Sequence, residues 1–462
     1  MQEGLLQPSR PPTLPLSKFL AALIQALKGE GLRPCILRNY EGFPTENFGN
    51  DVDFLVLPAD LPRAMRALRS IEQVRIVGYI ERTFVASVFV EGVSATPGYR
   101  SLQVDFFVSL SWKELAYLPV DSVLQASMPV QRGNLCFLVP SRVHEAIISL
   151  LNSLIVGGMV KEKYLPMVCG TFASDRPEVI AALMPQFGSR VATRLVDAVI
   201  CEDLRKVSRC VRPLRATLML RSLLHRPARS MLAVVRYYAR VFTIRISPKT
   251  IEAVSILDPT NCGNRKIGED LLQMLEHSAK YVERRHLGPG RKLEHEPSDG
   301  NEERDLSLGT SSHSRTSMTK VFRWFVEDWA SRLLGKSNLT LHLCEDCYHD
   351  LLIDPKRYSY SGPMWFARLV GALLPTHDLW ILLDPSSDGM QSEIQQAALA
   401  KTHAQLEAYR SFVKTRKRYV ILDANGPAAN VREGAYTAII DALAERTNRK
   451  LKNRFQQRKT SN

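Results

Sequence analysis

The run Asp51-Val52-Asp53-Phe54-Leu55-Val56 restricts the fold of this chain more than any other segment. Its residues favour a strand, and side chains alternate across a strand. Asp51 and Asp53 therefore share one face, while Val52, Phe54 and Val56 share the other. Such a strand belongs in a sheet with one face on an apolar core and acids on the other. Leu102-Gln103-Val104-Asp105-Phe106-Phe107 repeats the pattern, with Asp105 opposite Val104 and Phe106. Three carboxylates on strands of one sheet suit hard divalent cations, which take oxygen ligands and neutralise a reacting phosphoryl group. Asp51, Asp53 and Asp105 are thus candidate catalytic and metal-binding residues, with Mg²⁺ the expected ion. A plainer alternative is a polar strand end that caps the turn after Gly49-Asn50.

With 462 residues, two or three domains are expected. Leu16, Phe19, Leu20, Leu23, Ile24 and Leu27 repeat at helical spacing, ended by Gly29 and Gly31. Strands are expected at Cys35–Leu37, Val52–Leu57, Glu81–Val90 and Leu102–Val108, and helices at Ala59–Ile71 and Arg142–Ile155. Residues 12–130 form a mixed α+β sheet domain, and 131–246 a helical basic region. A new unit opens near Thr250 with an apolar strand, Ala253–Leu257, and a helix, Ile267–Leu275, the start of an α/β domain with a parallel sheet. Residues 250–286 and 320–445 make up this domain. Residues 287–319 lack apolar periodicity and are rich in Gly, Ser, Pro and charge, the pattern of a disordered insert. Residues 446–462 are expected as a basic tail.

The net charge of +14 is local. Arg205 to Arg245 holds eleven Lys/Arg and no acid, and Arg446 to Lys459 holds seven more without an acid. Two patches differ from the continuous basic face of a nucleic-acid-coating protein. The first patch suits an acidic partner or a lipid head group, or is simply a solvated helix face. The longest uncharged apolar stretch, Ala146–Val160, is too short for a bilayer, and the N-terminal residues lack a signal-peptide core, so a cytoplasmic protein is expected. Eight scattered cysteines do not form a disulfide framework, and Cys344/Cys347 lack the second ligand pair of a zinc knuckle.

The acidic strand, Asp105 and the preceding Leu37-Arg38-Asn39-Tyr40-Glu41-Gly42-Phe43-Pro44 together resemble the nucleotidyltransferases of the DNA polymerase β superfamily. The resemblance implies a nucleoside triphosphate substrate, Asp51 and Asp53 as the metal pair and Asp105 as the third acid. The family's Gly-Ser turn around the triphosphate is missing, and Arg38-Asn39 stands near its place. Arg38 and Asn39 are therefore candidate nucleotide-binding residues. Lys161 and Lys163 are candidates for the phosphates or a solvated helix face.

The second half is similar to thymidylate kinase-like P-loop proteins through Tyr348–Tyr358, Ser361-Gly362-Pro363, Leu374–Asp384 and Val420–Ala424. A P-loop surrounds phosphates with glycine amides, a Lys and a hydroxyl. Here the corresponding turn is Asp258–Lys266, with Asp258 for the first glycine, Asn264 for the Lys and Arg265 for the hydroxyl. Gly263 and Lys266 remain as candidate nucleotide-binding residues. Glu345-Asp346 replaces the family's Asp-Arg pair, and the lid region Asp388–Ala400 has no cation. A degenerate P-loop, a pseudokinase, is expected. The whole chain then reads as a nucleotidyltransferase carrying an inactive kinase-like domain. Proteins of this paired architecture resemble those linked with bacterial surface-polysaccharide synthesis. The alternatives are a non-catalytic interaction protein with both halves degenerate, or a working nucleotide or small-molecule kinase using Lys266.

Overall fold

A computed structural model describes residues 13–44, 51–94, 100–246, 252–259, 264–286, 313–334, 340–345, 347–358, 360–374, 376–385 and 396–457. The chain forms two units: residues 1–244 with 447–462, and residues 245–446. The fold is mixed α/β, with a mixed sheet in the first unit and a parallel sheet in the second. Among the described residues no helix is long and apolar enough to cross a membrane.

The strands of the first unit, in chain order, are β1 (Leu14–Pro15), β2 (Cys35–Ile36), β3 (Asp51–Leu55), β4 (Arg75–Glu81) and β5 (Val85–Glu91). Then follow β6 (Val93–Ser94), β7 (Ser101–Phe107), β8 (Leu110–Trp112), β9 (Leu115–Leu118), β10 (Met128–Arg132) and β11 (Leu135–Val139). Seven of these make one sheet in the order β10-β11-β2-β3-β7-β5-β4. Strand β3 runs parallel to β7 in register, Val52 beside Val104 and Phe54 beside Phe106. One sheet face packs on the helices Leu16–Gly29 and Leu61–Arg69. There Phe54 and Phe106 stack at 5.8 Å, and Phe19, Leu20, Leu23 and Leu27 are fully buried. Each such side chain contributes about 2 kcal/mol relative to exposure. The opposite face, through Leu55, Val85 and Phe107, packs on the helical layer that begins with Arg142–Leu151.

Several boundaries differ from the sequence reading. The expected strand Glu81–Val90 is instead the end of β4, a turn and most of β5, because Arg82 bonds back to Val85. The boundary at residue 130/131 cuts the β10/β11 hairpin, whose Leu135, Phe137 and Val139 are core residues. Ser141 caps the next helix, accepting from the His144 amide at 3.4 Å. Residues 313–319, expected within the insert, are helical, as part of His313–Leu334. The rest of that insert, 287–312, lies outside the described residues.

The expected basic tail is helical through Gln457, as the end of the helix Ala428–Gln457. It docks on edge strand β4: Leu451 is buried in the core, and Thr447 Oγ1 donates to the Val77 carbonyl at 2.9 Å. Arg454 forks onto both oxygens of Glu81 at 2.9 and 2.8 Å. Thr447, Leu451 and Phe455 recur every four residues, a one-sided stripe hidden among the cations.

The second unit holds β12 (Glu252–Leu257), β13 (Tyr281–His286), β14 (Thr340–Glu345), β15 (Leu379–Asp384) and β16 (Tyr419–Asp423). All run parallel in the order β13-β14-β12-β15-β16. Strand β12 is central: the chain runs from it to β13 and β14 on one side, then crosses from β14 to β15 and β16 on the other. Its carboxyl end is thus the switch point, where open α/β sheets bind ligands. Cys344 and Cys347 are buried, and burial pushes the Cys347 thiol well above its usual value.

Candidate functional site

The parallel register of β3 and β7 sets Asp53 directly beside Asp105, with Asp51 beside Gln103. Asp51, Asp53 and Asp105 can each offer an oxygen such that all three lie within 4.8 Å of one another. These acids lie on the face that carries Leu55 and Phe107, which the helical layer covers, so Asp53 and Asp105 are buried.

Arg38 Nε donates to Asp53 Oδ2 at 2.5 Å, and the pair is almost solvent-free. Burial works against the Arg38 charge, but Asp53 outweighs it and the guanidinium stays charged. The second oxygen, Asp53 Oδ1, is buried and accepts no hydrogen bond. Gln103 Nε2 donates to both oxygens of Asp105, at 2.9 and 3.0 Å, and Ser87, opposite Asp105 on β5, adds a further hydrogen bond.

Burial, followed by the Asp53 charge, pushes Asp51 up to about 7, while Arg38 and Lys163 pull the other way. Burial and Asp53 likewise push Asp105 up to about 6, against the hydrogen bonds from Ser87 and Gln103 and the charge of Arg82. Three carboxylates crowded in low dielectric resist ionising together.

A short helical turn, Glu162–Tyr164, closes over this cluster. The Tyr164 hydroxyl donates to Asn39 Oδ1 at 3.3 Å, and Arg38 lies over the Tyr164 ring at 5.7 Å. Asn39 has φ 58°, a left-handed turn that Asn tolerates better than most residues. Of the residues expected here, Arg38 pairs with Asp53, Asn39 bonds to Tyr164, Lys163 is exposed but acts on Asp51 by its charge, and Lys161 lies exposed just before the turn. Gln103, Ser87 and Tyr164 escaped the sequence reading. Gln103 was within reach, since it lies two residues before Asp105 on the same strand face.

In the second unit, Asp258 directly follows β12, and Glu345, Asp384 and Asp423 are the last residues of β14, β15 and β16. Four acids therefore mark the carboxyl edge of the sheet. Arg284 grips Glu345 at 2.7 and 2.6 Å, and Arg410 grips Asp384 at 2.7 and 2.8 Å. Arg357 donates to the Asp258 carbonyl at 2.7 Å, and Asp423 accepts from the Asn425 amide at 3.0 Å. Glu345, expected as an acid facing phosphates, is instead buried and neutralised, directly under Gly268, where any Cβ would collide with it.

Lys266 is exposed on the helix Asn264–Met274. Gly263, Asp346, the side chains of Asn264 and Arg265, and residues 386–395 of the lid region lie outside the described residues. No protein-family model and no curated protein matches the chain significantly.

Proposed function

We propose that the first unit is a Mg²⁺-dependent nucleotidyltransferase and the second a thymidylate kinase-like unit that has lost phosphoryl transfer. One observation carries the first reading: the register that sets Asp51, Asp53 and Asp105 around a buried, unpartnered carboxylate oxygen. The donor set fits a hard divalent cation, since every ligand atom is a carboxylate oxygen. Asp51, Asp53 and Asp105 would hold it, and when bound it supplies charge neutralisation at a phosphoryl group and activation of the attacking oxygen.

The remaining roles fall to this chain's own residues. Arg38 fixes the Asp53 rotamer, and Gln103 holds both oxygens of Asp105. Asp105, with its proton held up to about 6, is placed to take the proton of an acceptor hydroxyl. Lys163 and Arg38 bring positive charge to the phosphates that Asp51 would otherwise repel.

For the second unit, the acids at the switch point and the commitment of Arg284, Arg410 and Arg357 to internal partners support loss of phosphate binding. A non-catalytic interaction protein is the second reading, favoured by the buried Arg38–Asp53 pair, which already neutralises one of the three acids.

Calorimetric titration of the full chain with each nucleoside triphosphate plus Mg²⁺ tests the assignment. Binding that Asp51→Asn abolishes and Lys266→Ala leaves unchanged is expected. Binding lost in Lys266→Ala but kept in Asp51→Asn overturns the assignment in favour of a kinase. No binding of Mg²⁺ or triphosphate overturns it in favour of an interaction protein.

A further inference from the structure

The helix Pro227–Ile246 carries its apolar side chains on the wrong side for a core helix. Met231, Val235, Tyr238 and Phe242 follow i, i+4, i+7, i+11 spacing, so they form one narrow stripe. They are 62%, 60%, 51% and 65% exposed, and Leu232 beside them is 55% exposed. Other sides of the helix face the protein: Arg236 and Arg240 reach Glu114 at 3.9 and 3.7 Å, and Ala233 and Val234 pack on the core, while within the stripe Tyr238 accepts a hydrogen bond from Lys113, whose ammonium lies over its ring at 4.8 Å. The preceding helix, Val211–His225, adds Leu220 and Leu224, also more than half exposed. A contiguous stripe of large exposed apolar side chains marks an interaction surface.

Charge identifies what covers it. Arg205 to Arg245 contains eleven cations and no acid, and Arg205, Arg209, Arg212, Arg226 and Arg229 are exposed. A groove in the same helical layer is lined by Arg190, Arg194, Lys206 and Arg209, and its Asp197 is already engaged by Arg176 at 2.8 Å. A second copy of this chain would bring the same cations and be repelled, so the partner is anionic. The apolar residues stand on a convex helix, a shape that enters a yielding apolar medium. An exposed apolar stripe along one helix, with exposed Arg at its start and on the helices before it, matches the pattern of helices that lie in a membrane interface.

We propose that the helix Pro227–Ile246 seats the protein on an anionic lipid surface, with Met231, Val235, Tyr238 and Phe242 entering the head-group and acyl boundary and the surrounding Arg side chains binding lipid phosphates. The attachment lies on the membrane and does not span it. It is independent of the acidic cluster and stands even if that cluster proves inactive.

Flotation of the full chain with vesicles of phosphatidylcholine, and of phosphatidylcholine mixed with phosphatidylglycerol, tests the proposal. The chain is expected to float with the mixed vesicles and to be released by salt, since exposed charges are screened. The variant Met231→Ser/Val235→Ser/Phe242→Ser keeps every cation and alters only exposed positions. It is expected to bind the mixed vesicles at least about tenfold more weakly, as three apolar side chains no longer leave water. Arg212→Glu/Arg226→Glu/Arg229→Glu is expected to lose binding while keeping the stripe.

Equal flotation of the triple-serine variant and the unaltered chain would overturn insertion. Retention on polyglutamate as tight as on mixed vesicles, and insensitive to the serine substitutions, would assign the surface to an acidic protein instead. A dimer in sedimentation velocity that the serine substitutions dissolve would assign it to a second copy.

Discussion

The acids of the first unit and those of the second differ in how many cations attend them. Among the described residues, the one direct ion pair around Asp51, Asp53 and Asp105 comes from Arg38, and Asp53 keeps an oxygen with no partner. At the carboxyl edge of the second sheet, Glu345 and Asp384 each hold a guanidinium in two hydrogen bonds, Arg284 being shared with Glu269 and Arg410 with Glu407. Both regions bury carboxylates, at a cost that must be offset by a counter-charge. In the second unit the chain supplies that charge itself, which makes the acids architecture. In the first it supplies too little, which leaves a place for an external cation. On the proposed assignment, the chemistry follows from the deficit rather than from the acids.

The sharpest way to break this contrast is to change single carboxylates in the first unit. Asp51→Asn should lower nucleotidyl transfer by about a thousandfold or more, roughly 4 kcal/mol of lost stabilisation. It should leave thermal stability unchanged or slightly raised, because it relieves crowding around Asp53. Asp53→Asn should also abolish transfer but destabilise by about 3 kcal/mol, since it strands the buried Arg38. Urea unfolding of both variants separates the two, and equal stabilities would show that Arg38 is not held by Asp53.

In the second unit Glu345→Gln should cost less, about 2 kcal/mol, because Arg284 loses its buried partner but keeps Glu269. It should not alter Mg²⁺ affinity. A change in Mg²⁺ affinity would mean that the acids of this edge also hold cations.

Titration with pH distinguishes the regions next. Asp51 and Asp105 lie at about 7 and about 6 against an ordinary 3.8. Between those values the unfolded chain has lost these protons while the folded chain retains them. Stability should therefore fall as pH rises from about 4 to about 7, then level off, by several kcal/mol and about 7 kcal/mol at most. Saturating Mg²⁺ should flatten the fall, because metal displaces the protons. Thermal melts across this range, with and without Mg²⁺, measure both slopes, and a pH-independent melt would refute the crowding.

The smallest effect is expected from Arg410→Ala. Its pair with Asp384 is partly solvated, so about 1 kcal/mol is lost and nothing in the first unit changes. Chemical denaturation provides the measurement.

The paired aspartates were legible from the sequence because a strand alternates with period two, which needs no knowledge of neighbours. The counter-charges were not. Arg284 lies 61 residues before Glu345, and Arg410 26 residues after Asp384, so no local pattern announces either pair. The same applies to Ser87, which reaches Asp105 only through the β5/β7 register. Short-range periodicity also revealed the first helix and β12, but seven cations masked the stripe of Thr447, Leu451 and Phe455. Charge density is a statement about solvation, and a helix can satisfy it on one side while burying the other.

That last helix has a consequence for how the molecule is made. Strand β4 is the sheet edge, and edges with free backbone groups invite pairing with other chains. Here the edge is dressed by residues 447–455, which follow the whole of the second unit in the chain. A ribosome therefore exposes β4 through the synthesis of some two hundred intervening residues, all of 245–446, before its cover arrives. The first unit completes this cover only after the second has been synthesised, and a nascent chain stalled within 245–446 lacks it.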